Sequence, residues 1–229
     1  MTIFKYALMR GIRNPLSMIV NCIIPLALIF VRPLWADGSM AGLAFLGFAI
    51  MNGAFLMSQS ILTDKIDGAI TRILAAPITM RRYLAENLLS CMAPVTIQML
   101  LVSLLGFILY DWSLTLSIAI FLCYTVLTMS VVGMAFAWHC LFKTKEASSS
   151  GFAMVIMCMA MLSGMLIPTE ILPGILEHIG VIFPAYWATQ GINAVQEAGV
   201  FNADFWLAIA AMLLFTTAFL LYGGKRRII

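Results

Sequence analysis

Long apolar runs alternate with short polar stretches along the whole chain. About 20 apolar residues are needed to cross a bilayer as a helix. Six such runs can be read, at about 16–34, 40–62, 88–110, 114–142, 148–167 and 205–222. The fourth is longer than a crossing needs, which implies tilt or a partly interfacial end. Pro25 and Pro94 fall inside runs, where a kink is tolerated because neighbouring helices re-satisfy the freed carbonyls. The pattern predicts an all-α membrane protein, a single domain over 1–229 with six transmembrane helices.

Three stretches break the pattern of spans. Residues 1–15 carry Lys5, Arg10 and Arg13 among apolar positions, an amphipathic start for which the resemblance given below implies a cytoplasmic helix along the inner membrane surface. The apolar run after them is long enough to span and lacks a clear cleavage site, so no cleavable signal peptide is expected. Residues 63–87 hold a charged segment. Read as a helix, Leu62, Ile66, Ala69, Ile70, Ile73 and Leu74 form one apolar stripe, with Asp64, Lys65, Asp67, Thr71 and Arg72 off its centre. That helix should end before Pro77. A second short segment then carries Arg81 and Arg82 towards the third span. The third stretch, 168–204, contains an apolar run of 13 residues at 171–183, too short to span and suited to a re-entrant or interfacial element.

Charge fixes the expected orientation. Lys5, Arg10 and Arg13 precede the first span, and Lys65, Arg72, Arg81 and Arg82 lie between the second and third. Lys143 and Lys145 separate the fourth and fifth, and Lys225, Arg226 and Arg227 follow the sixth. Twelve of the 13 basic residues therefore lie on one side, with Arg32 alone on the other. By the positive-inside rule both termini are expected in the cytoplasm of a cell with this chain in its inner membrane. The basic residues are scattered in short clusters, which gives no nucleic-acid signature.

Composition agrees: 63% of residues are hydrophobic, 10% are charged and the mean hydropathy is +1.04. Soluble domains average about 25% charged residues. No Lys, Arg, Asp or Glu falls near the middle of a span, which argues against a proton- or sodium-coupled carrier. Asn21, Asn52, Gln59 and Gln98 are the polar residues inside spans and are expected to hydrogen-bond between helices. The cysteines lie singly and read as packing residues, as does the methionine-rich run from Met154 to Met165; no metal site is expected. Ala160 and Gly164 have a spacing that suits close helix pairing.

Catalytic readings are thin. Ser150-Gly151 with His139 is a fragment of an intramembrane serine protease without the rest of its motif, and His178 is isolated. No GxxxxGK[ST] loop is present. Gly223-Gly224-Lys225 runs on into Arg226 at the end of a span and reads as a helix stop with a basic anchor.

Two stretches carry a resemblance. DKIDGAITRILAAPITMRRYLAEN, Asp64 to Asn87, resembles the cytoplasmic segment of type-2 ABC exporter permeases. Asp64, Asp67, Gly68, Ile70, Ile73, Leu74, Ala75, Pro77, Ile78 and Thr79 match at the family's spacing, while Ala69 and Glu86-Asn87 depart from it. SGMLIPTEILPGILEHIGVIFPAYW, Ser163 to Trp187, is similar to the family's stretch before the last span.

The resemblance implies a permease that forms half of a transmembrane pathway. Its partners would be a cytoplasmic ABC ATPase subunit, two copies per complex, and a second permease copy or a sister permease, all in membrane lipid. This chain would bind no cofactor; ATP and Mg would bind the ATPase. The segment around Asp64, Lys65, Asp67, Gly68, Ile70, Arg72, Ile73, Leu74 and Pro77 would be the coupling helix, its charges presented to the ATPase. Lys143, Lys145 and Glu146 would make a second cytoplasmic contact. Pro168, Pro173, Pro184, Tyr186 and Trp187 would belong to two short re-entrant helices on the outer side. The direction implied is export, and the greasy spans suit a hydrophobic or amphipathic substrate such as a drug, lipid or peptide. An ATPase-independent channel or a membrane scaffold subunit is the alternative reading.

Overall fold

In a computed structural model of the chain, the structure describes residues 2–13, 19–35, 41–74, 79–167 and 178–225. Regular structure among them is helical throughout: α1 (Thr2–Arg13), α2 (Ile24–Ile29), α3 (Ala41–Ile66), α4 (Ala69–Leu74), α5 (Met80–Leu109), α6 (Leu114–His139), α7 (Lys145–Leu162), α8 (Pro184–Ala198) and α9 (Ala203–Lys225). Among the described residues, four stretches are long and apolar enough to cross a bilayer: Ala41–Ile66, Arg82–Leu109, Leu114–His139 and Ala203–Gly223.

The other two expected spans correspond to shorter helices. The described part of the first is a π turn, Ile19–Ile23, then α2, then a 3₁₀ turn, Arg32–Leu34. The change from π to α spacing falls at Ile24-Pro25, where the chain lacks an amide donor, and Pro33 sits in the 3₁₀ turn for the same reason. The fifth is α7, whose first turns are KEASSS, so its apolar length is well short of its 18 residues. Pro94 does lie inside a long helix, α5.

The third span starts earlier than its hydropathy suggests. Arg81 and Arg82 do not form a separate segment; they belong to the first turn of α5. Thr79 caps that turn, its side chain accepting from the Arg82 amide at 3.4 Å. Arg82 Nε then donates to Glu86 Oε1 one turn on, at 3.0 Å.

Helix α6 is the centre of the bundle and packs against α3, α5, α8 and α9. Leu127, Val131, Val132, Ala135 and Phe136 along it are all fully buried. Across the α6–α9 seam Ser130 donates to the Met212 carbonyl at 2.8 Å beside Thr216. By contrast α9 turns Trp206, Leu207, Leu213, Leu214 and Leu221 outward, as a helix bordering lipid or another chain does.

The two ends of the bundle differ. Trp35, Tyr110 and Trp112 cluster at one, with ring centroids 5.3–6.3 Å apart, and Tyr110 donates to the Ile29 carbonyl at 2.7 Å. Amphipathic rings of this kind favour the level of lipid headgroups. At the other end α1 lies against α5 and α3, and the ends of α3, α6 and α9 meet the start of α5. This second end carries Arg10, Lys65, Arg82 and Lys143.

Candidate functional site

The charged segment does not fold as one helix. Helix α3 runs unbroken from the apolar region through Asp64 and Lys65 to Ile66, turns at Asp67-Gly68, and restarts as the six-residue α4. Gly68 has φ +66°, a left-handed conformation that glycine adopts at least cost. The corner breaks the expected apolar stripe: Leu62 and Ile70 are buried, whereas Ile66 is 47% exposed.

Asp64 is turned inward, against the expectation that it faces a partner. Arg10 of α1 grips its carboxylate with both terminal guanidinium nitrogens, Nη1 to Oδ1 and Nη2 to Oδ2 at 3.0 Å, and the Tyr83 hydroxyl of α5 donates to Oδ2 at 2.6 Å. Burial alone would lower the Arg10 pKa, but the hydrogen bonds and charges of Asp64 and Tyr83 outweigh it and the value is raised. Three helices, α1, α3 and α5, thus meet at one carboxylate. Glu86 adds a second tie, accepting from the Phe4 amide at 3.1 Å in the first turn of α1, where helix amides lack partners.

Lys65, one residue on, reaches the opposite way. Its ammonium donates to the carbonyls of His139, Cys140 and Phe142 at 3.2, 3.1 and 3.1 Å. These belong to the C-terminal end of α6, where unpaired carbonyls and the helix dipole favour a cation. Sequence reasoning placed Lys65 in the segment but gave no hint of this partner.

Behind Lys65 lies a buried polar chain. Ser58 donates to its own helix at the Phe55 carbonyl, 2.6 Å away, so its oxygen must accept from His139 Nε2–H at 2.9 Å. His139 Nδ1 is then an acceptor for the Ser148 hydroxyl at 3.0 Å. The donation runs α7 to α6 to α3 without a break. Gln59 adds a bond to Ser149 Oγ at 2.9 Å, and Phe55 stacks on Phe152 with centroids 4.3 Å apart. Ser150 takes no part: it donates to the Glu146 carbonyl at 2.9 Å in its own helix, so no Ser150–His139 pair exists.

Asp67 and Arg72 are exposed, with only a long bond of 3.4 Å from Arg72 to the Asp67 carbonyl between them. Lys143, Lys145 and Glu146 are also exposed, at the turn into α7, which Thr144 caps through the Ala147 amide. The side chains of Ile73 and Leu74, and all of Pro77, lie outside the described residues, as do Pro168 and Pro173. Pro184, Tyr186 and Trp187 open α8, a 15-residue helix that buries Ala185, Ala188, Ile192 and Val195 against α6 and α9.

The polar residues inside the spans behave unequally. Gln59 bonds between helices, and Asn21 Nδ2 reaches Met57 Sδ at 3.0 Å. Asn52 instead bonds its own helix at the Phe48 carbonyl, and both polar atoms of Gln98 are buried without a partner among the described residues. No group of three or more His, Cys, Asp or Glu side chains able to hold a metal occurs among the described residues.

What the corner can do is mechanical rather than catalytic. It gathers four helices around two adjacent side chains and leaves α4 beyond them, with Ile70 buried and Arg72 exposed. A comparison with curated proteins returns no significant match. The model of the ABC-2 family transporter proteins matches residues 32–224, which leaves only α1 and the chain up to Val31 before it. The chain therefore belongs to the ABC-2 family of transporter proteins, as a multi-pass membrane permease subunit of an ABC transporter.

Proposed function

We propose that this chain is half of an export pathway driven by a separate ATPase, and that α4 with the Asp67-Gly68 turn is the element the ATPase holds. The observation that carries the reading is the division of charge at the corner. Asp64 and Lys65 are bound inward to α1, α5 and α6, whereas the side chains of Asp67 and Arg72 are exposed, where they can set register against a partner. Force applied to α4 passes into the membrane helices through Asp64 and Lys65. Two ATPase copies bind ATP and Mg, and a second copy of this chain or a sister permease completes the pathway. Both termini lie in the cytoplasm and the exposed loop Lys143, Lys145 and Glu146 is a second contact. The substrate is hydrophobic or amphipathic.

Co-purification tests the reading. The full chain is expressed with candidate cytoplasmic ATPases of the same cell, as wild type and as Asp67→Lys/Arg72→Glu. The wild type should retain an ATPase and the double variant should lose it while eluting as the wild type does on gel filtration. Asp64 is kept intact, because its loss would disturb the bundle itself. A well-folded wild type that retains no ATPase would sink the exporter reading in favour of a channel or scaffold.

A further inference from the structure

At the end of the bundle away from the basic corner, α8 and α9 border an open cleft of about 510 Å³. That volume lies within the range of about 300–1,000 Å³ typical of small-molecule pockets. Its wall is set by the two-sided character of α8. One face packs inward through Ala185, Ala188, Ile192 and Val195. The other carries Tyr186, Gln190, Asn193 and Glu197, spaced four, three and four residues apart, and all four line the cavity. Trp187 and, from α9, Asp204 also line it. The two rings stand edge to face, with centroids 5.7 Å apart, and Trp187 Nε1–H is already committed to the Val181 carbonyl at 2.9 Å.

The two carboxylates are not equivalent. Asp204 lies in the first turn of α9, where the helix dipole favours a negative charge, so helix stability alone accounts for it. Glu197 is the next-to-last residue of α8, where the dipole opposes a carboxylate. No ion pair compensates it among the described residues, and the chain has no Lys or Arg from Gly151 to Gly224. A local rule broken without an internal gain points to something outside the chain. Asn202 holds the geometry, capping α9 through the Phe205 amide at 2.9 Å, while Gly199, at φ +70°, turns the chain so that Glu197 and Asp204 share one opening.

We propose that this cavity binds an amphipathic organic cation, its flat apolar body against Tyr186 and Trp187 and its positive group at Glu197 and Asp204. Aromatic faces and carboxylates both attract a cation; an anionic ligand would gain from neither, and a strongly hydrated inorganic cation would leave the two rings unused. Gln190 and Asn193 supply hydrogen bonds. Asn193 also lines a smaller void beside Tyr124 and Met165, which puts the site at the edge of the core formed by α3 and α6. That the bound cation is cargo rests on the transporter reading; the site itself does not.

The test is equilibrium binding of rhodamine 6G to the full chain in nanodiscs of neutral lipid, with empty nanodiscs subtracted. Nile red serves as the uncharged comparator. The wild type should bind rhodamine 6G saturably, and Glu197→Gln/Asp204→Asn should weaken it about tenfold, since exposed charge contacts are individually small. Nile red binding should be the same for both proteins. Trp187→Ala should weaken both dyes. Wild-type binding no greater than that of empty nanodiscs overturns the site, and so does a double variant that binds as the wild type does. ATPase co-purification is read in parallel. An ATPase retained without dye binding removes only the cation site, whereas dye binding without any ATPase leaves the site and removes its role in transport.

Discussion

Removing either side of the Arg10–Asp64 pair should destabilise the fold, but by unequal amounts. The Asp64 side chain is 11% exposed and the Arg10 side chain 42% exposed. Arg10→Met strands a buried carboxylate with only the Tyr83 hydroxyl for company. Breaking a buried pair from the cation side costs about 3–5 kcal/mol, and partial hydration from the open Arg10 side places this case near 3 kcal/mol. Asp64→Asn leaves a guanidinium that water can reach, and the amide oxygen still accepts from Tyr83. Its cost should be about 1 kcal/mol. The double variant should cost about 2 kcal/mol, since the stranded charge is gone, which leaves about 2 kcal/mol of coupling between the two positions. The assay is reversible unfolding of the purified chain in mixed micelles by added SDS, followed by tryptophan fluorescence. If Asp64→Asn costs as much as Arg10→Met, or if the two effects simply add, the carboxylate is not the buried partner described and the reasoning fails.

The other expectations concern the same corner. Gly68→Ala forces a Cβ into a left-handed turn and should destabilise by about 1 kcal/mol, with Gly68→Asn roughly half as costly; thermal unfolding of the two variants gives the order. Lys65→Met leaves three carbonyls at the end of α6 without their cation, so amide hydrogen exchange over residues 137–142 should rise about tenfold or more, and unchanged protection would refute the capping role. His139→Phe keeps the ring but strands Ser58 and Ser148, costing about 2 kcal/mol; restoring most of this loss by adding Ser58→Ala and Ser148→Ala would identify unpaired hydroxyls as its cause.

Much of the frame was legible because bilayer thickness imposes it. The runs at 40–62, 114–142 and 205–222 became α3, α6 and α9 with shifts of a few residues, and α1 formed where the family resemblance implied a helix. Where polar residues extend a helix beyond its apolar run, hydropathy misleads: α3 continues to Ile66 and α5 begins at Met80 because local bonds, not grease, hold those turns. The inward turn of Asp64 was not legible. Its partners lie 54 residues before it and 19 after it, at Arg10 and Tyr83, and no spacing in one sequence connects them. Periodicity joined residues 62–74 into a single stripe because it is blind to a single φ > 0 at Gly68. Glu86 departs from the pattern of the family and makes a specific bond to α1 here, so the departure has a local structural use.

Adjacent positions on a helix project about 100° apart, and Asp64 and Lys65 use that angle to hold different neighbours. One turn of α3 is therefore fastened to α1 and α5 on one side and to α6 on the other, while Ser58 and Gln59, two turns back, fasten it to α6 and α7. A helix held from several sides cannot swing alone. Any displacement of α4 transmitted across the Gly68 turn must either carry α1, α5, α6 and α7 with it or break charged hydrogen bonds in groups. The cheaper course is collective movement, since each bond broken at a buried carboxylate or an uncapped helix end costs about 1–3 kcal/mol. Between that corner and α4 lies the Gly68 turn, whose would-be Cβ meets nothing within 4 Å, while Ile70 of α4 is itself buried in the core. A push on α4 would therefore meet a stiff block, seated through Ile70 and fastened through side chains that a charge count alone would have left on the surface.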